Sequence, residues 1–245
     1  MAQWIHTPIE DNEIFNQEVK MVCDVYADAI QLKQDNIHVI SCDEKSGMQA
    51  LEREITPQTN THVERHDNSY ERHGTQCLIA NFDVATGQIL SPTIQPTRTE
   101  KDFEKHIKDT INTDSNTEAK WIFVVDQLNT HKSESLVRLV ADLCGFTDLE
   151  LGIKGQSGIL QNMETRKDFL SDPSHKIRFI YTPKHASWLN QVEIWFSILV
   201  RKLLKRLSVK STDELKEKVL NFIDYFNQVM AKPFKWTYKG KALQK

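Results

Sequence analysis

The chain has few of the features that mark the less common classes of protein. Its 245 residues include only 8 glycines and 7 prolines, which excludes collagen-like and low-complexity chains. The longest uninterrupted apolar run is residues 121–125, far too short to cross a membrane. The first fifteen residues lack a basic region followed by an apolar stretch, so no signal peptide is predicted. We therefore expect a cytoplasmic protein without a membrane partner.

Cysteine is also scarce, and its spacing is uninformative for metal binding. The four cysteines, Cys23, Cys42, Cys77 and Cys144, lie far apart and form no CxxC pair. This pattern excludes a zinc knuckle and a disulfide framework, and it favours a reduced environment.

The small net charge of −3 hides a strong gradient along the chain. Residues 1–60 carry eleven acidic residues and four Lys or Arg, whereas residues 195–245 carry twelve Lys or Arg and four acidic residues. Such asymmetry is typical of a chain with a polyanionic partner at its basic end. Solvated helix faces give the same pattern, so charge alone leaves both interpretations open.

Hydrophobic spacing predicts an α/β fold with a mixed five-stranded sheet and helices on its faces. We expect the first three strands to be antiparallel and the last two to be reached by crossovers. Half of the glycines lie within residues 145–175, where periodicity is weak, so we predict an insertion between the fourth and fifth strands. The predicted strands are 37–42, 76–82, 88–93, 121–125 and 176–181, and the predicted helices are 9–33, 99–111, one after Ser133, one from about Ser187 and one after Ser211.

Three carboxylates follow or flank these elements in a way that favours a metal site. Asp43 and Asp126 each follow a predicted strand, and Glu193 lies at the margin of the apolar stripe of the helix after the last strand. Ligands collect at the carboxyl ends of strands in open α/β sheets. Grouped carboxylates repel one another unless a hard cation such as Mg²⁺ or Mn²⁺ joins them. Two such ions roughly 3.5–4 Å apart catalyse phosphoryl transfer.

The segments around these carboxylates carry a family resemblance. Residues 42–53 (CDEKSGMQALER) and 70–75 (YERHGT) resemble the first catalytic block of IS630-type (Tc1/mariner-related) bacterial transposases and the segment after it. Residues 124–131 (VVDQLNTH) and 181–193 (YTPKHASWLNQVE) resemble the second and third blocks. Residues 234–239 (FKWTYK) are similar to the C-terminal signature of this family.

The resemblance implies an RNase H-like DDE catalytic domain that cuts DNA at transposon ends and joins the freed 3′-hydroxyl to target DNA. It implies that Asp43, Asp126 and Glu193 are the catalytic residues and that they bind two metal ions, either Mg²⁺ or Mn²⁺. It also implies a homodimer that acts on transposon ends and target DNA and is associated with the bacterial nucleoid. We expect an N-terminal helical linker segment (1–36), the catalytic domain (37–230, with the 145–175 insertion) and a basic C-terminal tail (231–245).

Two departures from the family pattern qualify this interpretation. Only 42 residues precede Asp43, whereas the family usually has a helix-turn-helix region there, so we expect end recognition from elsewhere, such as a separate helix-turn-helix polypeptide. The 66 residues between Asp126 and Glu193 are more than the family usually has. Two rival functions stay open: an RNase H-like nuclease without strand transfer, and a truncated, non-catalytic DNA-binding or regulatory remnant.

Several neighbours of the carboxylates are candidates for DNA contact or for support of the site. Asn129, His131 and Asn190 are expected to support it, by orienting water, contacting phosphate or assisting the metal ligands. Trp188 is expected in the core, although stacking on a base is the alternative. The expected nucleic-acid-binding residues are Lys184, His185, Arg201, Lys202, Lys205 and Arg206. The alternative is that these side chains are only solvated surface charges.

Overall fold

The computed structural model describes residues 12–56, 65–66 and 69–238. Its strands are β1 (Ile37–Glu52), β2 (Ile55–Thr56), β3 (Arg65–His66), β4 (Glu71–Asp83), β5 (Ile89–Gln95), β6 (Lys120–Val125) and β7 (Ile177–Tyr181). Five of them form a central sheet in the order β5-β4-β1-β6-β7, and β2 and β3 form a separate pair. Strands β5, β4 and β1 pair antiparallel, whereas β1, β6 and β7 pair parallel.

Helices cover both faces of this sheet, as the sequence predicted. Successive strand residues alternate between two cores, so that Val39 packs on one face and Ile40 on the other. The helices are α1 (Asn12–Gln34), α2 (Glu100–Ile111), α3 (Glu134–Cys144), α4 (Asp148–Leu151), α5 (Met163–Ser171), α6 (Gln191–Lys202) and α7 (Thr212–Val229). The first core receives side chains from α1, α6 and α7, and the second from α2, α3 and α5. None of the described helices is both long and apolar enough to cross a membrane.

The first strand is much longer than the predicted 37–42. β1 continues through Asp43 to Glu52 because β4 pairs with it along this whole length. The register shifts between Lys45 and Met48, where Gly47 takes a φ of 68°, as expected at a β-bulge. Asp43 is therefore inside a strand rather than after one, and its pairing with Ala80 of β4 fixes its backbone.

Residues 145–175 are more regular than the predicted surface excursion. They include α4 and α5, and they bury Leu151, Leu160 and Leu170 in the second core. Both helices are too short for periodicity to reveal, at 4 and 9 residues. Local hydrogen bonds start each of them, since Thr147 and Asn162 both form capping boxes.

The helix predicted from about Ser187 is interrupted before it reaches Glu193. Residues Ser187–Leu189 form a 3-10 turn, Asn190 is extended, and α6 begins at Gln191. Two other 3-10 turns occupy Asn129–Lys132 and Leu204–Arg206. Residues 9–11 of the predicted first helix lie outside the described residues, and α1 accounts for the rest.

Candidate active site

Two of the predicted carboxylates lie at equivalent positions on neighbouring parallel strands. Ser41 pairs with Val124 at the last parallel pair of β1 and β6. Asp43 and Asp126 each stand two residues beyond that pair. Adjacent parallel strands therefore bring these two carboxylates to the same edge, although 83 positions separate them in the sequence.

Asp43 is almost completely buried, with 7% of its surface exposed. Its Oδ1 accepts a hydrogen bond from the Glu44 amide at 2.7 Å. Burial, and then the negative charge of Asp126, raise the pKa of Asp43 to about 7, and Glu193 adds to this repulsion. The described residues form no ion pair with Asp43, so this buried carboxylate lacks a protein cation to balance it. Its environment favours an external positive charge.

Asp126 is balanced in a different way, by a buried histidine. His131 is 0% exposed and places Nδ1 2.8 Å from Asp126 Oδ1 and Nε2 3.2 Å from Glu44 Oε1. Burial opposes protonation of His131, but the two carboxylates outweigh it and raise its pKa to about 9. In return, although burial works to raise the pKa of Asp126, the hydrogen bond and charge of His131 lower it. Both ring nitrogens donate only in the imidazolium form, so His131 is a positively charged bridge.

Glu193 is positioned by a buried polar network at the start of α6. The Asn190 side-chain nitrogen donates to the Cys42 carbonyl at 3.0 Å and to Asp43 Oδ2 at 3.2 Å. The Ser41 hydroxyl donates to the Asn190 side-chain oxygen and accepts a hydrogen bond from the Val192 amide at 2.9 Å. These bonds join the first turn of α6 to β1, three residues or fewer from Glu193.

The three carboxylates do not converge as tightly as a closed metal site requires. Glu193 is exposed, and within the described part of the chain the one group with three possible ligand atoms inside 4.8 Å is Glu52, Glu71 and His73. That group is already tied together, with His73 Nε2 2.9 Å from Glu52 Oε2. The donors around Asp43 are nevertheless hard oxygen atoms with excess negative charge, which is the chemistry that Mg²⁺ and Mn²⁺ accept.

The other predicted site residues differ in how far their side chains are buried. His131 and Asn190 are buried beside the aspartates, so neither reaches DNA directly, whereas Asn129 is exposed. The predicted core position of Trp188 is wrong, because the side chain is 51% exposed and packs edge-on against Tyr238 at 5.2 Å. The predicted nucleic-acid-binding residues are all exposed, and they are Lys184, His185, Arg201, Lys202, Lys205 and Arg206.

Sequence reasoning missed four residues of this neighbourhood. Ser41 bonds Asn190 and Val192, and Glu44 bonds His131. From the sequence, Glu44 is only the residue after Asp43, and its side chain is expected on the opposite face of the strand. Tyr181 donates its hydroxyl to the His131 carbonyl at 2.8 Å. Lys167 reaches the ring of Tyr181 from α5, a contact between distant segments that no local signal predicts.

Comparisons with solved structures identify the fold. The chain matches the Mos1 transposase catalytic domain solved with raltegravir and Mn at a TM-score of 0.52 and 10% identity, covering 89% of this chain and 85% of that one. It matches the catalytic domain of Mos1 mariner transposase at a TM-score of 0.51 and 11% identity, covering 90% and 85%. A pre-cleavage Mos1 transpososome matches at 0.54 and 11%, covering 91% of this chain and 58% of that one. At these identities the likeness shows the fold, which is that of RNase H-like transposase catalytic domains.

Sequence comparison settles the family. A search of curated proteins found no significant match. The model of the DDE superfamily endonuclease family, however, matches residues 38–216, a span that includes all three predicted carboxylates and the strands and helix that carry them. The chain therefore belongs to the DDE superfamily endonucleases.

Proposed function

We propose that the chain is the catalytic domain of an IS630-type transposase, and that Asp43, Asp126 and Glu193 form its active site. One observation carries this proposal: the buried, unbalanced Asp43 shares a sheet edge with Asp126, and a buried network joins it to the helix of Glu193. A buried carboxylate with uncompensated charge, beside a second carboxylate at one edge of an RNase H-like sheet, suits metal-dependent DNA cleavage.

Asp43, Asp126 and Glu193 would hold one or two divalent cations. Bound Mg²⁺ or Mn²⁺ would supply activation of the attacking oxygen and stabilisation of the leaving oxygen. The chain's own residues prepare this site. Asn190 fixes the orientation of Asp43, and His131 keeps Asp126 ionised and oriented.

The exposed cations around the carboxylates would guide the DNA backbone. Lys184 and His185 follow β7, and the basic run of Arg201, Lys202, Lys205 and Arg206 follows Glu193. Contacts of this kind position DNA without selecting its sequence. We further propose that the active unit is a homodimer and that a helix-turn-helix segment, on this or another polypeptide, recognises the transposon ends.

Nicking of a supercoiled plasmid tests the catalytic centre. We expect nicking with Mg²⁺ or Mn²⁺ that disappears after chelation and in Asp126→Ala, but persists in Asp142→Ala, which removes an exposed carboxylate on α3. Metal-dependent nicking that survives Asp126→Ala would contradict the proposed triad. If the full assembly is active, precut transposon ends should be joined to target DNA, and cleavage without joining would favour the nuclease alternative.

A further inference from the structure

Two lysines from separate segments lie over the ring of Tyr181, at the end of β7 beside Asp126, and a third lysine follows that strand. Lys132 Nζ lies 5.3 Å from the centre of the Tyr181 ring, and Lys167 Nζ lies 5.6 Å from it. Lys184 follows the same strand, and its charge acts on Lys132 together with that of Lys167. We call these residues the Tyr181 lysine cluster.

The protein only partly balances the charge of this cluster. Lys132 donates to the neutral Gln127 side-chain oxygen at 2.7 Å. Lys167 has an ion pair with Glu18 at 3.4 Å, which is a partly exposed contact of small energetic value. The charge of Asp126 also acts on Lys132, but this carboxylate is already bonded to His131. Like charges held this close repel one another, so an anion bound among them would be stabilised.

The platform beneath the lysines is rigid. Tyr181 is 4% exposed, and its hydroxyl donates to the His131 carbonyl at 2.8 Å. On the other side, α5 is anchored by Leu170 in the second core. The aromatic face attracts the ammonium groups of Lys132 and Lys167. This contact holds the two cations beside the carboxylate site, whereas a free surface lysine would move among many rotamers.

We propose that the Tyr181 lysine cluster binds phosphodiester groups of the DNA strand that enters the carboxylate site. The inference deepens the proposed function and rests on it. It gives residues 145–175 a part in substrate binding, because α5 within this segment supplies Lys167. It also adds Lys132 and Lys167 to the DNA-contacting residues that the sequence indicated.

Binding of a labelled non-specific DNA duplex to the whole chain tests the proposal. Fluorescence anisotropy with Ca²⁺ in place of Mg²⁺ measures affinity without requiring cleavage. We expect Lys167→Gln to weaken binding about three- to tenfold and to reduce the slope of log affinity against log salt concentration by about 0.9. Lys167→Arg should restore both values. Lys105→Gln, which removes an exposed lysine on α2 that pairs with Asp109, is the matched control and should change neither.

The outcomes separate this proposal from the proposed function. If wild-type protein cleaves DNA while Lys167→Gln and the double variant Lys132→Gln/Lys167→Gln bind with unchanged affinity and salt slope, the cluster is not a DNA site. If no form cleaves DNA but the variants lose affinity as expected, the cluster stands and the catalytic proposal fails. If Lys105→Gln weakens binding as much as Lys167→Gln does, the effect is one of net charge and the proposal is overturned.

Discussion

His131 is the residue that balances the charge of a buried acid, Glu44, and of a partly exposed one, Asp126. Glu44 and Asp126 approach it from different strands of the sheet, and the Glu44 side chain is only 2% exposed. Removal of a charged partner from such a group leaves an unbalanced buried charge, which costs far more than the net value of the pair. His131 therefore stabilises the fold at the same point where it orients Asp126.

We predict that His131→Leu lowers the free energy of unfolding by about 3–5 kcal/mol. Urea denaturation measures this loss, and a double-mutant cycle with Glu44→Gln provides the control. Because Glu44→Gln removes one of the stranded charges, the double variant should lose less stability than the sum of the single losses. Strictly additive losses would show that the two side chains do not interact.

His106 predicts acid sensitivity of the second core. It is fully buried on α2, its Nδ1 lies 2.8 Å from the Thr93 hydroxyl, and burial lowers its pKa from 6.5 to about 3. Between these two values the unfolded chain binds more protons than the folded chain, so the free energy of unfolding falls as pH decreases from 6.5 to 3. This contribution is fully present above pH 6.5.

The measurement is urea denaturation of wild type, His106→Gln and His185→Gln at several pH values. His106→Gln should flatten the acid side of the profile, where a single group contributes at most about 1.4 kcal/mol per pH unit. His185→Gln, at an exposed position, should leave the profile as it is in wild type. Equal profiles for wild type and His106→Gln would contradict the assignment.

At the scale of elements, the contact between β1 and α6 sets the geometry of the site. Ser41 bonds both the Asn190 side chain and the Val192 amide, so its hydroxyl connects the strand of Asp43 with the helix of Glu193. Since the side chain is fully buried, water cannot replace these bonds without a cavity. This hydroxyl therefore holds the start of the helix together with the bonds that Asn190 makes to Cys42 and Asp43.

We predict that Ser41→Ala costs about 1–3 kcal/mol of stability and lowers the rate of DNA nicking by more than this loss of folded protein explains. Ser187→Ala, an exposed serine in the preceding turn, is the control. Nicking rates at saturating metal, measured where each variant is fully folded, distinguish the two effects. Wild-type nicking by folded Ser41→Ala would show that the hydroxyl does not position Glu193.

The turn between β4 and β5 makes a second critical contact, with the C-terminal segment. Gly87 has a φ of 76°, and a side-chain carbon there would lie 2.0 Å from the Lys232 carbonyl oxygen. Gly145 has a similar φ of 78° but open space around it. We expect Gly145→Ala to cost about 1–2 kcal/mol for the left-handed backbone, and Gly87→Ala to cost clearly more because of the added clash. Thermal denaturation compares the two, and equal losses would mean that the segment is not held against the turn.

At the scale of the whole molecule, the sequence predicted the sheet better than the active site. The apolar run before Asp126 and the alternating residues of the hairpin reflect burial that is strong and local, so they predicted the strands and their directions. The buried stripe of α6 likewise placed Glu193 near the sheet. The sequence also singled out the aromatic residues of the C-terminal segment 234–239, and Phe234 stacks on Phe82 with ring centres 4.6 Å apart.

The features that the sequence did not predict depend on contacts between distant segments. The length of β1 depends on pairing with β4, which no residue near Asp43 encodes. The roles of Ser41 and Lys167 depend on which helix packs over which strand. Short helices such as α4 carry too few residues for a periodic signal, so residues 145–175 appeared irregular.

The packing of residues 231–238 also determines the order in which the protein is completed during synthesis. Phe234 covers Phe82, and Trp236 lies edge-on to Tyr26 at 5.2 Å, so the final pieces of the first core come from the last part of the described chain. A ribosome must therefore have translated the chain as far as Trp236 before this core can close. The nascent protein would leave the ribosome with its sheet partly uncovered, and the domain would be complete only after the C-terminal aromatics emerge.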